Sequence, residues 1–114
     1  MPPAPAVSLV YCTCPDAATA SRLAEAVVEE RLAACVNVLP GLRSVYRWRD
    51  AVEQADEILL LAKTGSDRVA ALSARLAELH PYELPEVVAV QASGGSAAYL
   101  AWVADASRPG ASPR

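Results

Sequence analysis

The sequence contains no phenylalanine, and histidine, methionine and isoleucine each occur only once in its 114 residues. Valine, leucine and alanine must therefore fill the core, because 54% of the residues are hydrophobic and the larger apolar types are scarce. A single histidine excludes a Ser-His-Asp triad or a histidine-rich metal centre within one chain. The hydroxyl residues form no nucleophile elbow, and no glycine-rich phosphate loop joins a strand to a helix. We therefore expect that the protein is not an enzyme.

Basic residues are also few, since ten Lys and Arg stand against thirteen Asp and Glu, which gives a net charge of −3. No nucleic acid is expected as a partner, because there is no basic excess to neutralise phosphates. No apolar run approaches the roughly 18 residues of a membrane helix. The first six residues lack the basic and apolar regions of a signal peptide. We expect a cytoplasmic protein with no membrane partner.

Cysteine occurs three times, as Cys12, Cys14 and Cys35, which is an odd number and too few for a disulfide framework. Cys12 and Cys14 form a C-x-C pair, which on a strand places both thiols on one face. Most zinc sites use a C-x2-C spacing with further Cys or His partners, so a closed tetrahedral zinc site is not expected. We interpret two of the three thiols as small buried apolar groups.

Chain length and composition predict one domain, residues 1–114, with an ordered core of about residues 7–106 and frayed tails. Asp16 and Ser96 are expected to cap helices, Pro81 to end one, and Pro40-Gly41 to interrupt an edge strand. The first helix is expected to run for about four turns, with Leu32 on its apolar stripe. The predicted order is strand, helix, strand, strand, helix, strand and a short helix, over 7–13, 16–32, 35–48, 52–64, 65–80, 86–92 and from 96.

This order predicts an α+β fold, namely a ferredoxin-like βαββαβ antiparallel sheet with an extra C-terminal helix. The hairpin beyond Pro40-Gly41 is polar on its return strand and is expected to project from the sheet as an arm (residues 42–57). Arg43, Tyr46 and Trp48 on this arm have the composition of a protein interface. An alternative is that the aromatic pair packs within its own hairpin. A closed homotrimer in which other chains complete the edge strand is predicted.

Two residues could form a metal site if the fold brings them together. Cys12 lies near the end of the first strand, and His80 ends the second helix. One thiolate and one imidazole would form a soft, open site suited to Cu or Zn, to which Glu83 could add a carboxylate. The alternative is a buried thiol and a histidine stabilised by the helix dipole. The spacing alone leaves both interpretations open.

Six segments of the sequence together form a recognisable ordered pattern. They are Thr13-Cys14-Pro15-Asp16, residues 30–41, Ser44-Val45-Tyr46-Arg47-Trp48, Leu61-Ala62-Lys63-Thr64, His80-Pro81-Tyr82-Glu83-Leu84-Pro85-Glu86 and Tyr99-Leu100-Ala101-Trp102. This pattern resembles the CutA family of divalent-cation tolerance proteins. The resemblance implies a ferredoxin-like subunit in a tight homotrimer, a cytoplasmic location in bacteria, and a link to tolerance of copper and other divalent cations. It implies no catalytic activity.

The resemblance also implies that Cys12 and His80 are the metal ligands. A divalent ion, Cu²⁺ or Zn²⁺, is then expected as a ligand that the fold does not require. Some family members carry a second histidine where this chain has Leu79, so the implied site is weak. An alternative function is a trimeric scaffold or a sensor of a nucleotide or metabolite held in clefts between subunits.

Overall fold

A computed structural model of the chain describes residues 5–110. The expected fraying of residues 1–4 and 111–114 lies outside the described residues. The strands are β1 (Val7–Cys14), β2 (Cys35–Trp48), β3 (Ala51–Gly65) and β4 (Val87–Gln91). The helices are α1 (Ala17–Glu29), α2 (Val69–Leu79), which follows a 3₁₀ turn at Ser66–Arg68, and α3 (Ala97–Ala106). The expected mixed α+β architecture, with four strands and three helices, is confirmed.

The four strands form one antiparallel sheet in the order β2-β3-β1-β4. β3 and β1 are central, whereas β2 lies at one edge, as Pro40 within it requires. The register between β2 and β3 shifts at residues 39–42, where Gly41 has a φ of 85°. Glycine tolerates this left-handed conformation, so the bend falls at the position expected from the sequence.

The core lies between one face of the sheet and the helices α1 and α2. Alternate residues of β1, from Val10 to Cys14, face this core together with alternate residues of β3. Helix α1 contributes Leu23 and Val27, and α2 contributes Leu72 and Leu76. Aliphatic and cysteine side chains fill the core, as the absence of phenylalanine requires.

Helix α1 is capped at both ends. The Asp16 side chain accepts a hydrogen bond from the Thr19 N–H at 2.7 Å, as expected. The helix ends at Glu29, so the expectation that Leu32 belongs to it is wrong. Arg31 adopts a φ of 61°, and the N–H groups of Leu32 and Arg31 donate to the carbonyls of Val27 and Val28. This Schellman motif folds Leu32 back against the core. Leu32 is therefore apolar at a position that also fits the helical period.

The arm is a two-stranded hairpin that leaves the rest of the sheet. β1 pairs with β3 only from Ile58 onward, so residues 42–57 pair with each other alone. The described residues span 52 × 30 × 22 Å, which reflects this projection. Its tip is a two-residue turn in which Arg49 and Asp50 have φ values of 49° and 65°. Two positive φ angles are typical of a type I′ turn, which the sequence did not reveal because neither residue is glycine or asparagine.

Helix α3 packs against β3 and β1 at the end of the sheet remote from the arm. Ser96 caps it by accepting from the Tyr99 N–H at 3.3 Å. Ser107, just beyond the helix, is fully buried, and its hydroxyl accepts from the Gly65 N–H at 3.0 Å. Most of the sheet face opposite α1 and α2 exposes apolar side chains, among them Leu39, Val88 and Val90.

Candidate metal site and the adjoining cleft

The C-terminal end of β1 places two thiols in the core. Cys12 and Cys14 alternate with Thr13, so both side chains face the helices and both are fully buried. The expected common face of the C-x-C pair is thus observed. Cys35 lies apart at the start of β2, where the Asn37 amide contacts its sulfur at 4.0 Å.

His80 follows the last residue of α2 and lies beside the two thiols. Pro81 disfavours helical backbone at the residue before it, and His80 accordingly has extended φ and ψ of −76° and 139°. Its Nδ1 accepts a hydrogen bond from the Tyr82 N–H at 3.1 Å. Nδ1 therefore carries no proton, and Nε2–H donates to the Thr13 carbonyl at 2.7 Å. The buried imidazole links the segment after α2 to β1.

One ligand atom each from Cys12, Cys14 and His80 lies within 4.8 Å of the other two. The neighbouring Cys14 thiol, and then burial, raise the pKa of Cys12 well above its usual range. The same interaction with Cys12 lowers the pKa of Cys14. The cluster offers two soft sulfurs and one nitrogen, which is a donor set for Cu or Zn.

The structure brings together the two predicted metal residues, Cys12 and His80, but places Glu83 elsewhere. The Glu83 carboxylate is exposed and pairs with Arg49 at the tip of the arm, at 3.3 Å. Cys14 takes the third place in the cluster. The C-x-C spacing signalled this residue, since it puts the second thiol on the same face as Cys12.

A cleft of about 790 Å³ lies on the other side of β1, between the arm and residues 81–86. Aromatic rings and carboxylates line much of it, and no Lys or Arg is among its lining residues in the described part of the chain. Arg49 at its rim stacks over the Trp48 ring at 5.3 Å. The lining residues are Thr13, Ser44, Val45, Tyr46, Trp48, Glu57, Pro81, Tyr82, Glu83, Leu84, Pro85 and Glu86.

Glu57 and Tyr82 connect the cleft to the thiol cluster. The Tyr82 hydroxyl donates to the buried Glu57 carboxylate at 2.9 Å, and the Tyr82 ring lies 4.6 Å from the His80 ring. Burial, and then the hydrogen bond to Glu57, raise the pKa of Tyr82 above its usual range. The tyrosine therefore stays a neutral donor. Sequence reasoning did not find this pair, because its members are 25 residues apart and form no motif.

The three predicted interface residues lie along the arm and are exposed in the single chain. Tyr46 and Trp48 remain 43% and 37% exposed on the side of the arm that continues the uncovered sheet face. Arg43 is exposed on the other side. The hairpin by itself therefore leaves much of the surface of both aromatic rings uncovered.

The sequence and the fold both match known proteins. A family profile described as "CutA1 divalent ion tolerance protein" matches residues 8–106. The chain belongs to the CutA family. It is 44% identical over 97 residues to "Protein CutA" of Mus musculus, with 85% of this chain and 55% of the mouse protein covered. It is 46% identical over 95 residues to "Divalent-cation tolerance protein CutA" of Thermus thermophilus, with 83% and 92% covered.

Solved CutA structures share the fold closely. The crystal structure of CutA from Xylella fastidiosa matches with a TM-score of 0.83 and 49% identity, over 85% of this chain and 93% of that one. The CutA1 structure from Oryza sativa matches with a TM-score of 0.88 and 38% identity, over 92% and 96%. This chain spans about half the length of the mouse relative. Within residues 5–110, no helix is long and apolar enough to cross a membrane.

Proposed function

We propose that this CutA-family chain binds divalent cations, copper among them, and serves in divalent-cation tolerance as a binding protein without catalytic activity. The observation that carries the proposal is the buried group of Cys12, Cys14 and His80, whose ligand atoms lie within 4.8 Å of each other. Cys12 and His80 would hold Cu²⁺ or Zn²⁺, with Cys14 as a third donor. Imidazole ligation requires His80 to give up one of its two backbone hydrogen bonds, which limits the affinity.

The second part of the proposal is that the chain, one ferredoxin-like domain, works as a homotrimer. The uncovered sheet face exposes Leu39, Val88 and Val90, and the arm extends this apolar surface with Tyr46 and Trp48. Contiguous exposed apolar surface of this kind marks an interface, and a closed ring covers every copy of it. A mass by light scattering near three times 12.0 kDa at micromolar concentration is expected. A mass of one chain contradicts the assembly.

The proposed location is the cytoplasm. All three cysteines are free thiols, and the candidate site requires two of them reduced. A reducing compartment maintains this state. Expression of the full-length gene with a fused fluorescent reporter, followed by fractionation, tests the location directly.

Calorimetric titration tests the metal site. Zn²⁺ and Cu²⁺ are titrated into the wild type, Cys12→Ser and His80→Ala, with Cys35→Ser as the matched control. Wild type and control are expected to bind alike, and the two site variants to bind roughly tenfold or more weakly. Affinity should fall as the pH falls, because thiols must lose protons to coordinate and the pKa of Cys12 is raised. Equal binding by all four proteins would show that these residues are structural.

The cleft supports a second candidate function, the sensing of a small ligand. Its carboxylates, Glu57, Glu83 and Glu86, repel the phosphates of a nucleotide, whereas its rings and negative charge suit an organic cation. Arg49, held over Trp48 and against Glu83, shows how these groups receive a guanidinium. We therefore propose a cationic metabolite for this cleft rather than a nucleotide. The arm would serve both the ligand and the neighbouring subunit.

A binding screen distinguishes these ligand classes. Agmatine, choline and ATP are titrated into the wild type and Glu57→Gln, which keeps an oxygen for the Tyr82 hydroxyl. The cations should bind to the wild type and more weakly to the variant, and ATP should not bind. Binding of ATP alone would exclude a cation-selective cleft.

A further inference from the structure

We propose that Cys12 and Cys14 form a two-sulfur site for reduced copper, Cu(I), in which His80 stays outside the coordination shell. The inference rests on the metal-binding function proposed above and specifies the form of the ion that binds most tightly. It differs from a Cys12–His80 site in its ligands, its coordination number and the oxidation state it selects.

The first argument is that both nitrogens of His80 are already used. Nδ1 accepts from the Tyr82 N–H and Nε2–H donates to the Thr13 carbonyl, at 3.1 and 2.7 Å. A metal ligand needs a free lone pair, so coordination by either nitrogen would leave a backbone group unpaired at a buried site. An ion that binds without the imidazole avoids this cost.

The second argument is the geometry of the thiols. Cys12 and Cys14 are both 0% exposed, and their sulfurs lie no more than 4.8 Å apart. Two metal–sulfur bonds of about 2.3 Å in a line span about 4.6 Å. The two sulfurs can thus hold one ion between them with little movement of β1.

The third argument is the coordination number. Zn²⁺ in a protein site usually takes four ligands, whereas the group contains three side chains, and Glu83 is engaged with Arg49. The core around the thiols consists mainly of apolar side chains, which are poor hydrogen-bond partners for a water that would complete the shell. Soft thiolates select Cu(I), which two sulfurs satisfy.

The binding step can be balanced in protons and charge. Binding one Cu(I) to two thiolates releases two protons and leaves one net negative charge on the complex. Arg22 of α1 lies at the rim, where its guanidinium donates to the Leu79 carbonyl beside His80 at 3.4 Å. The carboxylates of Glu57 and Asp16 also act on Cys14, so Arg22 offsets only part of the negative charge around the complex.

The test is an anaerobic competition between the full chain and the chromophoric Cu(I) chelator bicinchoninate. The variants are Cys12→Ala, Cys14→Ala, His80→Asn and Cys35→Ala, each checked for folding by circular dichroism. Asn at position 80 can still accept from the Tyr82 N–H in an Asx turn, so it removes the imidazole but keeps the loop. Zn²⁺ is titrated into the same proteins.

Wild type should bind one Cu(I) per chain, and loss of either core thiol should weaken binding by roughly a hundredfold or more. The His80→Asn and Cys35→Ala proteins should stay within about threefold of wild type. An unchanged affinity in Cys14→Ala, or an equal loss in His80→Asn, overturns the inference. X-ray absorption of copper-loaded wild type gives an answer that needs no variant, since two sulfur neighbours are expected and a nitrogen neighbour contradicts the site.

The result also separates this inference from the broader proposal. If Zn²⁺ or Cu²⁺ binds through Cys12 and His80 while Cu(I) does not bind, the inference fails and the divalent site stands. If none of the three ions binds, the metal-binding proposal fails with it.

Discussion

The body of the sheet and the arm use the same strands in opposite ways. In the body, β1, the second half of β3 and the two long helices bury Leu23, Leu60 and Leu76 almost completely. In the arm, the other halves of β2 and β3 leave Trp48 and Val52 at 37% and 66% exposure. Both halves of β3 alternate sides equally, so the difference lies in what covers them. In the body, helices of the same chain cover one face of the sheet, whereas most residues of the arm are exposed.

This contrast separates residues that maintain the fold from residues available for other molecules. Removing a side chain from the body should affect the folding of the single chain. Removing one from the arm should affect assembly or ligand binding instead. The variants below test the separation in order of decreasing effect.

The largest effect is expected from Trp48→Ala in the arm. If the ring is covered by a neighbouring chain, its loss should lower stability by about 3–5 kcal/mol, as for a buried aromatic. The loss should appear in light scattering as dissociation that depends on protein concentration. Val52→Ala, on the opposite side of the arm, is the control and should retain the mass of wild type. A Trp48→Ala protein with unchanged mass and melting would show that the arm is peripheral.

Leu76→Ala in the body should lower the free energy of unfolding by about 3 kcal/mol, because it opens a cavity beneath α2. Urea denaturation measures this change. At a concentration where the variant is folded, its mass by light scattering should equal that of wild type. A variant that loses assembly without losing stability would contradict the assignment of Leu76 to the fold of the single chain.

A smaller effect is expected from Thr64→Val. The buried Thr64 hydroxyl donates to the Leu32 carbonyl at 2.8 Å and so holds the segment after α1 against β3. Valine fills the same space but leaves the carbonyl unpaired, at a cost of about 1–3 kcal/mol. Thr64→Ser retains the hydroxyl and should lose less. Thermal melting of the two variants side by side measures the contribution of the hydrogen bond to stability. Equal melting temperatures would show that the hydrogen bond contributes nothing.

The smallest effects concern the left-handed residues, of which each region has at least one. Arg31 in the body and Asp50 in the arm have φ values of 61° and 65°. Glycine at either position should raise stability by up to about 1 kcal/mol, because it adopts this conformation without strain. Arg31→Gly should gain more than Asp50→Gly, since aspartate tolerates the conformation better than arginine. Denaturant titration of both single variants checks the order, and a loss of stability in either would contradict it.

Much of the fold followed from local chemistry in the sequence. Pro81 stopped α2, Asp16 capped α1 and Pro40-Gly41 placed the bend in the edge strand, because each acts on its neighbouring backbone. Local spacing gave the wrong result at Leu32, because this residue fits the helical period although α1 has already ended. The left-handed backbone at Arg31 decides that the helix ends before Leu32, and an arginine gives no sign of this conformation in the sequence.

The candidate site divides in the same manner. The C-x-C spacing by itself put Cys12 and Cys14 on one face, since a strand alternates sides at every residue. Tertiary structure alone decided that His80 meets them, that both its nitrogens bind backbone, and that Glu83 turns to Arg49 instead. The hydrogen bond from His80 to Thr13, for example, joins residues 67 positions apart. Periodicity fixes the direction of a side chain along its own element, but only the packing of elements fixes which side chains meet.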